Sequence, residues 1–489
     1  MSEGEGVVRV LSNNPAFSNT KQVYREKLSL PKSELILSQF SNPWDIVKRI
    51  ICLVIVTYLL SQAVLMIGFG LILNSLDGII LSFGGLFCSL PLLFIFFWIR
   101  RPRLIHIQMA IPDDNGSKTH ILPNNETLTT PIPTKFYHHL VKNSGLLDIP
   151  PSKKLWLIFS VVLLFSIFIF ISLINNSSDL MILLTVLFVI PAWLAGFSIP
   201  VFAWWSYSTR NLNLPTTGYK AESTLVAGMI CTIPALFINT GANIYFSDVF
   251  GIDSPITQFL TLALVAPIGE ELCKLGAVWW CKGYIDSPRR GFEIGFTVGL
   301  GFAMLENLQY IALSWTGGPL SFTLTSLIRG IGSIPGHAFW TGLTGIGFAY
   351  FISKNNRILN NNNQNYEISN WQLIDSKTNE IIETTLKNDK DALPFEDNFS
   401  TAVKNVQNLE KNSSKLPKNV IFCTTLAILG HSFWNGSSFV VDYFSNEYIS
   451  NIAFSTLTSL VWITFLITSL FILGKLILKN VILLPDKMV

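Results

Sequence analysis

Residues 155–174 read LWLIFSVVLLFSIFIFISLI, twenty positions without a single Asp, Glu, Lys, Arg or His. At 1.5 Å per residue a helix of that length covers about 30 Å, the thickness of a bilayer's hydrocarbon core. Outward from it, the 489-residue chain repeats such runs near 51–73, 79–99, 181–205, 223–246, 257–281, 291–314, 321–353, 420–443 and 449–474. Half of the residues are hydrophobic and 13% are charged, against about 25% charged in a soluble domain. These figures exclude a disordered chain and argue against a soluble enzyme. The expected fold is an all-α polytopic membrane protein of about ten transmembrane helices. The eighth run is overlong and contains Gly330, Gly332, Pro335 and Gly336, the pattern of a broken helix or a short re-entrant piece.

Lys and Arg fall in alternate connections: Lys48 and Arg49; Arg100, Arg101 and Arg103; Arg210 and Lys220; Lys282, Arg289 and Arg290; Lys354 and Arg357; Lys475 and Lys479. The other five loops contain none. By the positive-inside rule both termini and the connections 100–154 and 354–418 face the cytoplasm of a multi-pass protein of the cell membrane. This divides the chain into a polar segment 1–46, four accessory helices within 47–205 with the loop 100–154, a core 206–475 interrupted by the loop 354–418, and a tail 476–489. The first apolar run is too long and too late for a secretory signal, so no cleaved leader is expected. A formal charge of +3 is too small to imply a nucleic-acid partner. The six cysteines, Cys52, Cys88, Cys231, Cys273, Cys281 and Cys423, lie in or beside apolar runs and read as small hydrophobes. His106, His120, His138 and His139 are irregularly spaced in a loop rich in Pro and Asn and read as solvated side chains. Tyr366–Thr385 alternates weakly and permits a hairpin.

Ionisable groups in hydrocarbon cost roughly 2.5 to 3.5 kcal/mol each on insertion scales and persist where they are paired or functional. Spans six to nine contain Glu270, Glu271, Lys274, Glu306, Arg329, His337 and His431. For Lys274 and Arg329 a structural ion pair explains the residue as well as catalysis does. Three carboxylates and two histidines on four consecutive helices supply a base and ligands for activating water. Glu270 and Glu271 are about 100° apart around a helix, so one can face a cavity while the other reaches Lys274. Gly336-His337-Ala338-Phe339-Trp340-Thr341-Gly342 is nearly repeated as Gly430-His431-Ser432-Phe433-Trp434-Asn435-Gly436, on spans that run antiparallel. Counted from the nearest cytoplasmic charge at 1.5 Å per residue, Glu270 lies about 18 Å deep, His431 about 20 Å, Glu306 about 24 Å and His337 about 25 Å. They share one layer, at or just beyond the midplane on the outer side.

Glu270-Glu271-Leu272-Cys273-Lys274 reads EExxK, and Phe302-Ala303-Met304-Leu305-Glu306-Asn307 reads FxxxE followed by Asn. With the two histidine motifs behind them, residues 221–475 resemble the PrsW family of intramembrane proteases, within the wider group that includes the CAAX-prenyl proteases. The resemblance implies that 206–475 is a PrsW-like protease core. It also implies hydrolysis of a peptide bond in a membrane-anchored protein, members being described as cleaving anti-sigma factors on the outer side. Where the family's histidine motif can end in Asp, this chain has Thr341 and Asn435.

On this reading Glu270 or Glu271 is the base, with Glu270 favoured. Glu306, His337 and His431 would bind zinc in a metal version and leave a position for water. In a metal-free version the histidines orient the water and Asn435 donates to the oxyanion. The metal-free version is favoured, because Thr341 and Asn435 are poor zinc ligands and good hydrogen-bonding groups. Lys274, Arg329, Asn307 and Thr341 support the carboxylates. The partners implied are a single-pass membrane substrate and the lipid bilayer. The rival readings are an ion- or proton-coupled transporter, although no repeat of several spans is present, and an inactive scaffold that binds transmembrane segments.

Overall fold

The computed structural model describes residues 42–73, 75–101, 104–121, 127–142, 145–175, 178–361, 373–374, 381–382 and 416–484. Two compact units emerge, Asn42–Ile352 with Ser413–Val489, and Met1–Ser41 with Ser353–Asn412. In the second, the strands Leu373–Ile374 and Ile381–Ile382 pair antiparallel. They fall within the stretch read as a possible hairpin, most of which lies outside the described residues.

The first unit is a helical membrane bundle. α1 (Pro43–Leu73) and α2 (Leu76–Arg100) form a hairpin. α3 (Ser152–Asn175) and α4 (Asp179–Leu212) form another, and α4 ends on Asn213 in the left-handed conformation. α5 (Gly218–Ile230) runs on as α6 (Thr232–Phe250) after a break at Cys231. Pro234 has no amide to donate back and its ring crowds the preceding turn, which accounts for the break. α7 (Pro255–Phe259) continues through a π-helical turn, Leu260–Val265, into α8 (Ala266–Trp280). α9 (Pro288–Ser314) leads by a tight turn to α10 (Gly318–Ile328), a second π-helical turn, Arg329–Ser333, and α11 (Ile334–Asn361). α12 (Val420–Tyr448) and α13 (Ile452–Val481) close the bundle.

Among the described residues eight stretches are long and apolar enough to cross a membrane, against the ten runs read from the sequence. One of the eight, Pro288–Ser353, has 66 residues, about three times what one crossing needs. It turns back at Gly318, whose φ of 80° favours glycine, so α9 and α11 run antiparallel. α12 is not among the eight; His431, Asn435 and its serines dilute its hydropathy.

Two further features depart from the sequence reading. The connection 100–154 carries a long antiparallel hairpin, β1 (Leu104–Ile121) with β2 (Thr127–Lys142). Its alternation Ile105, Ile107, Met109, Ile111 was the available signal. In its register His106 stands opposite Leu140, His139 opposite Ile107 and His138 opposite Gln108, while His120 Nε2 lies 2.8 Å from Thr134 Oγ1. The second feature is α4, one of the four helices counted as accessory, whose C-terminal half packs inside the bundle. Phe197, Phe202 and Trp205 are fully buried, and Trp193 Nε1 donates to the Leu308 carbonyl of α9 at 2.9 Å. α1 and α2 join the core through Glu222 of α5, held by Arg49 at 3.3 Å and Arg100 at 3.9 Å.

Candidate active site

α9 is the axis on which the site is built. Gly291, Gly295 and Gly299 form a stripe against α11, and a Cβ added at Gly295 or Gly299 would run into the carbonyl of Thr341 or His337. With no hydrophobic drive between helices in lipid, small residues that let backbones touch are what hold such a pair together. Two turns beyond Gly299, this contact sets Glu306 beside His337: Glu306 Oε2 is 3.0 Å from His337 Nε2.

Each position of the FxxxE-Asn motif has a partner. The ring of Phe302 lies under the Lys274 ammonium, 4.0 Å from Nζ, and packs 5.4 Å from the His337 ring. Asn307 accepts from Arg329 Nη1 at 2.7 Å and returns its own amide to the Ala303 carbonyl. Arg329 lies 3.6 Å from Glu306 Oε2 and stacks over Tyr310.

On α8 the adjacent glutamates occupy different environments. Glu271, 1% exposed, accepts from Lys274 Nζ at 2.8 Å, lies 3.1 Å from His431 Nδ1 and takes a long hydrogen bond from Thr341. Glu270 lines a cavity of about 670 Å³ and accepts from Asn239 at 3.2 Å on one oxygen. Its other oxygen, Oε2, is buried without a hydrogen-bond partner, 3.6 Å from Lys274 Nζ and 3.8 Å from His431 Nε2. Lys274 is fully buried and also meets His337 Nδ1 at 2.8 Å. The two imidazoles cross at right angles, 4.8 Å between centroids.

The two π-helical turns precede the site residues by one to two turns, at Leu260–Val265 before Glu270 and at Arg329–Ser333 before His337. A side chain from another helix donates to a carbonyl of each: Asn435 Nδ2 to Leu262 at 3.0 Å and Trp204 Nε1 to Gly330 at 3.0 Å. Asn435, expected as the oxyanion donor, lines the cavity and uses one of its two amide N–H groups on the Leu262 carbonyl. Short π-helical turns gather at functional sites, where they re-aim side chains.

Glu270, His337 and His431 are all buried, and a ligand atom of each lies within 4.8 Å of the other two. This is the group among the described residues that fits a metal ion, with Glu270 in the place that the sequence reading gave to Glu306. The donor chemistry agrees. Nδ1 of His431 faces the Glu271 carboxylate and carries the proton, which leaves the lone pair on Nε2, on the side of Glu270. Glu270 contributes an oxygen with no other partner. His337 lies 2.8 Å from Lys274 Nζ at Nδ1 and 3.0 Å from Glu306 at Nε2, and it would join them through Nε2 as the neutral tautomer that carries its proton on Nδ1. Two imidazoles and a carboxylate are a donor set zinc takes while keeping a position for water.

Residues 221–364 match the PrsW family intramembrane metalloprotease model. The match runs from α5 to α11 and includes the EExxK helix, the FxxxE helix and the first histidine motif of this PrsW-like segment. It stops before α12, which carries His431. No curated protein and no solved structure matches the chain. The family description is of a metalloprotease, and the Glu-His-His group could hold a metal ion.

Sequence reasoning passed over Asn239, Tyr310 and Asp442, all on the cavity wall. Asn239 and Asp442 carried a usable signal as polar residues inside apolar runs. Tyr310 carried none.

Proposed function

We propose that the protein is an intramembrane metalloprotease that hydrolyses a peptide bond of a single-pass membrane protein. The observation that carries this is the convergence of Glu270, His337 and His431, with Glu306 beside them, on one cavity inside a bundle of membrane helices. Those three residues would hold a zinc-like cation, which when bound would supply Lewis-acid chemistry.

The chain's own groups do the rest. Glu306, on the cavity wall beside His337, accepts the proton of the attacking water. Glu271 fixes the His431 ring and compensates the buried Lys274 charge. Arg329, on the cavity wall, stabilises the developing oxyanion electrostatically. The cavity reaches Leu313 near the end of α9, Asp442 near the end of α12 and Ser459 in the second turn of α13. The distribution of Lys and Arg puts that end of the bundle outside the cell, which supports cleavage on the outer side and cytoplasmic termini.

The test is cleavage of a panel of single-span membrane proteins by purified protein, with and without chelator. Cleavage that chelator abolishes and zinc restores is the expected result. Chelator-resistant cleavage would remove the metal. No cleavage, combined with an ion flux in reconstituted vesicles that Glu306→Gln abolishes, would replace the protease with the transporter.

A further inference from the structure

On the far side of the π-helical turn Arg329–Ser333 from the catalytic cavity is a second cavity, a groove of about 1020 Å³ between α3, α4, α11 and α13. Its walls are apolar, chiefly Trp156, Trp204, Phe339, Leu470 and Phe471. At one end it is ringed by Lys153, Arg210 and Lys475. No acidic residue lines it among the described residues. The salt bridges among those residues involve none of the three cations, and Arg210 makes one long hydrogen bond to the Ile149 carbonyl.

The order of these groups along the helices is informative. Lys153 stands in the first turn of α3, Arg210 in the last turn of α4, and Lys475 two turns before the end of α13. Trp156, Trp204 and Phe471 lie about 4 to 9 Å deeper at 1.5 Å per residue. The charges therefore sit at one bundle end, cytoplasmic by the count of basic residues, and aromatic walls continue from them into hydrocarbon. Phe471 and Ile472 are about half exposed, so the groove opens sideways to lipid. Positive charge at headgroup level above an apolar, laterally open slot is complementary to one kind of molecule present in the membrane.

We propose that this groove binds one anionic phospholipid of the adjoining leaflet, its phosphate held by Lys153, Arg210 and Lys475 and an acyl chain laid against Trp204, Phe339 and Phe471. The position has a mechanical consequence. Ile331 and Pro335 form the groove's floor while Arg329, Ser333 and His337 line the catalytic cavity. Trp204 is in the groove wall and donates to Gly330 between them. A bound lipid supports the back of the segment that carries Arg329.

The test is binding and needs no assumption about catalysis. Delipidated full-length protein is titrated with phosphatidylglycerol, phosphatidylcholine or inorganic phosphate, and read by melting temperature and by native mass spectrometry. Phosphatidylglycerol should raise the melting temperature and remain bound one to one, and the other two should not. Lys153→Gln with Lys475→Gln, both exposed and outside any ion pair among the described residues, should weaken that binding about thirtyfold. Lys479→Gln, one turn along α13 and outside the groove, should leave it unchanged and shows that net charge is not the cause. Equal stabilisation by phosphatidylcholine would mean the groove takes hydrocarbon without reading a headgroup and overturns the proposal. So would capture of free phosphate alone, or undiminished phosphatidylglycerol binding by the double variant with its fold intact.

Discussion

The indole of Trp340 lies flat against the imidazole of His431, ring centroids 5.0 Å apart and planes 19° from parallel. Trp340 belongs to the first copy of the Gly-His-x-x-Trp repeat and His431 to the second. Gly430 makes the room, since a Cβ there would stand 2.8 Å from Trp340 Nε1. The second copy's Trp434 in turn abuts Gly332 at 2.6 Å from where a Cβ would be. The repeat is therefore a packing device in which each glycine-rich turn receives the other helix's tryptophan, and it fixes His431 from the ring face while Glu271 fixes it at Nδ1.

Removing that support should loosen the histidine without removing it. Trp340→Ala is expected to lower cleavage about ten- to a hundredfold, the usual effect of losing an outer-shell support, and to weaken metal retention in step. Trp340→Phe should recover most of both. If Trp340→Ala cleaved at the parent rate with unchanged metal content, the stacking would have no part in holding the ring.

Much of this was legible in sequence. The ten apolar runs correspond to helices, because hydrocarbon enforces length and composition and both are written in single letters. Glu270, Glu306, His337 and His431 stood out because charge in such runs is rare. What could not be read was whatever depends on two helices meeting. Glu270 rather than Glu306 completes the Glu-His-His group, which depends on how three helices meet and is encoded by no spacing. The hydrogen bond from Asn435 to the Leu262 carbonyl of the π-helical turn before α8 could not be read either, since it joins residues 173 positions apart. α4 lies outside the stretch that carries the resemblance, and its packing against α9 is apolar, which single letters do not single out.

His337→Ala and His431→Ala should each abolish cleavage and each lose the metal, with the protein still inserted and monodisperse. Both rings belong to the group whose ligand atoms lie within 4.8 Å. Metal analysis of the purified variants decides it: a full equivalent of zinc in either one would break the three-residue site.

The α9–α11 contact makes a steric prediction. Gly299→Val puts branched carbon where the His337 carbonyl stands, and overpacking of this kind costs about 1 to 3 kcal/mol or more. The melting temperature in detergent should fall, and cleavage should fall further than stability, because Glu306 and His337 are parted. Gly241, with nothing within 4 Å of an added Cβ, is the control, and Gly241→Ala should be silent. Equal tolerance at both positions would mean the helices are not in contact.

Sidedness can be read with single cysteines in a cysteine-free background. Asp253→Cys and Gly317→Cys should react in intact cells with an impermeant thiol reagent, because their loops lack Lys and Arg, whereas Asn362→Cys should not. Labelling at Asn362 alone would invert the bundle.

The adjacent glutamates separate ligand from ion-pair partner. Glu→Gln keeps volume and shape but removes the charge. Glu271 is fully buried with Lys274 Nζ at 2.8 Å, so Glu271→Gln strands an ammonium in the bundle, a loss of about 3 to 5 kcal/mol. Lys274→Met removes the stranded charge and keeps an unbranched chain to fill the space over Phe302, so Glu271→Gln with Lys274→Met should regain a good part of the lost melting temperature while remaining inactive. Glu270 faces the cavity, has one oxygen with no hydrogen-bond partner and lies farther from the ammonium, at 3.6 Å. Glu270→Gln should therefore melt close to the parent, lose its metal and cleave nothing, while still binding a single-span substrate. Detergent melting curves, bound zinc and cleavage across the four proteins decide the assignment: if Glu270→Gln were the unstable variant and Glu271→Gln the stable, metal-free one, the two carboxylates would have exchanged roles.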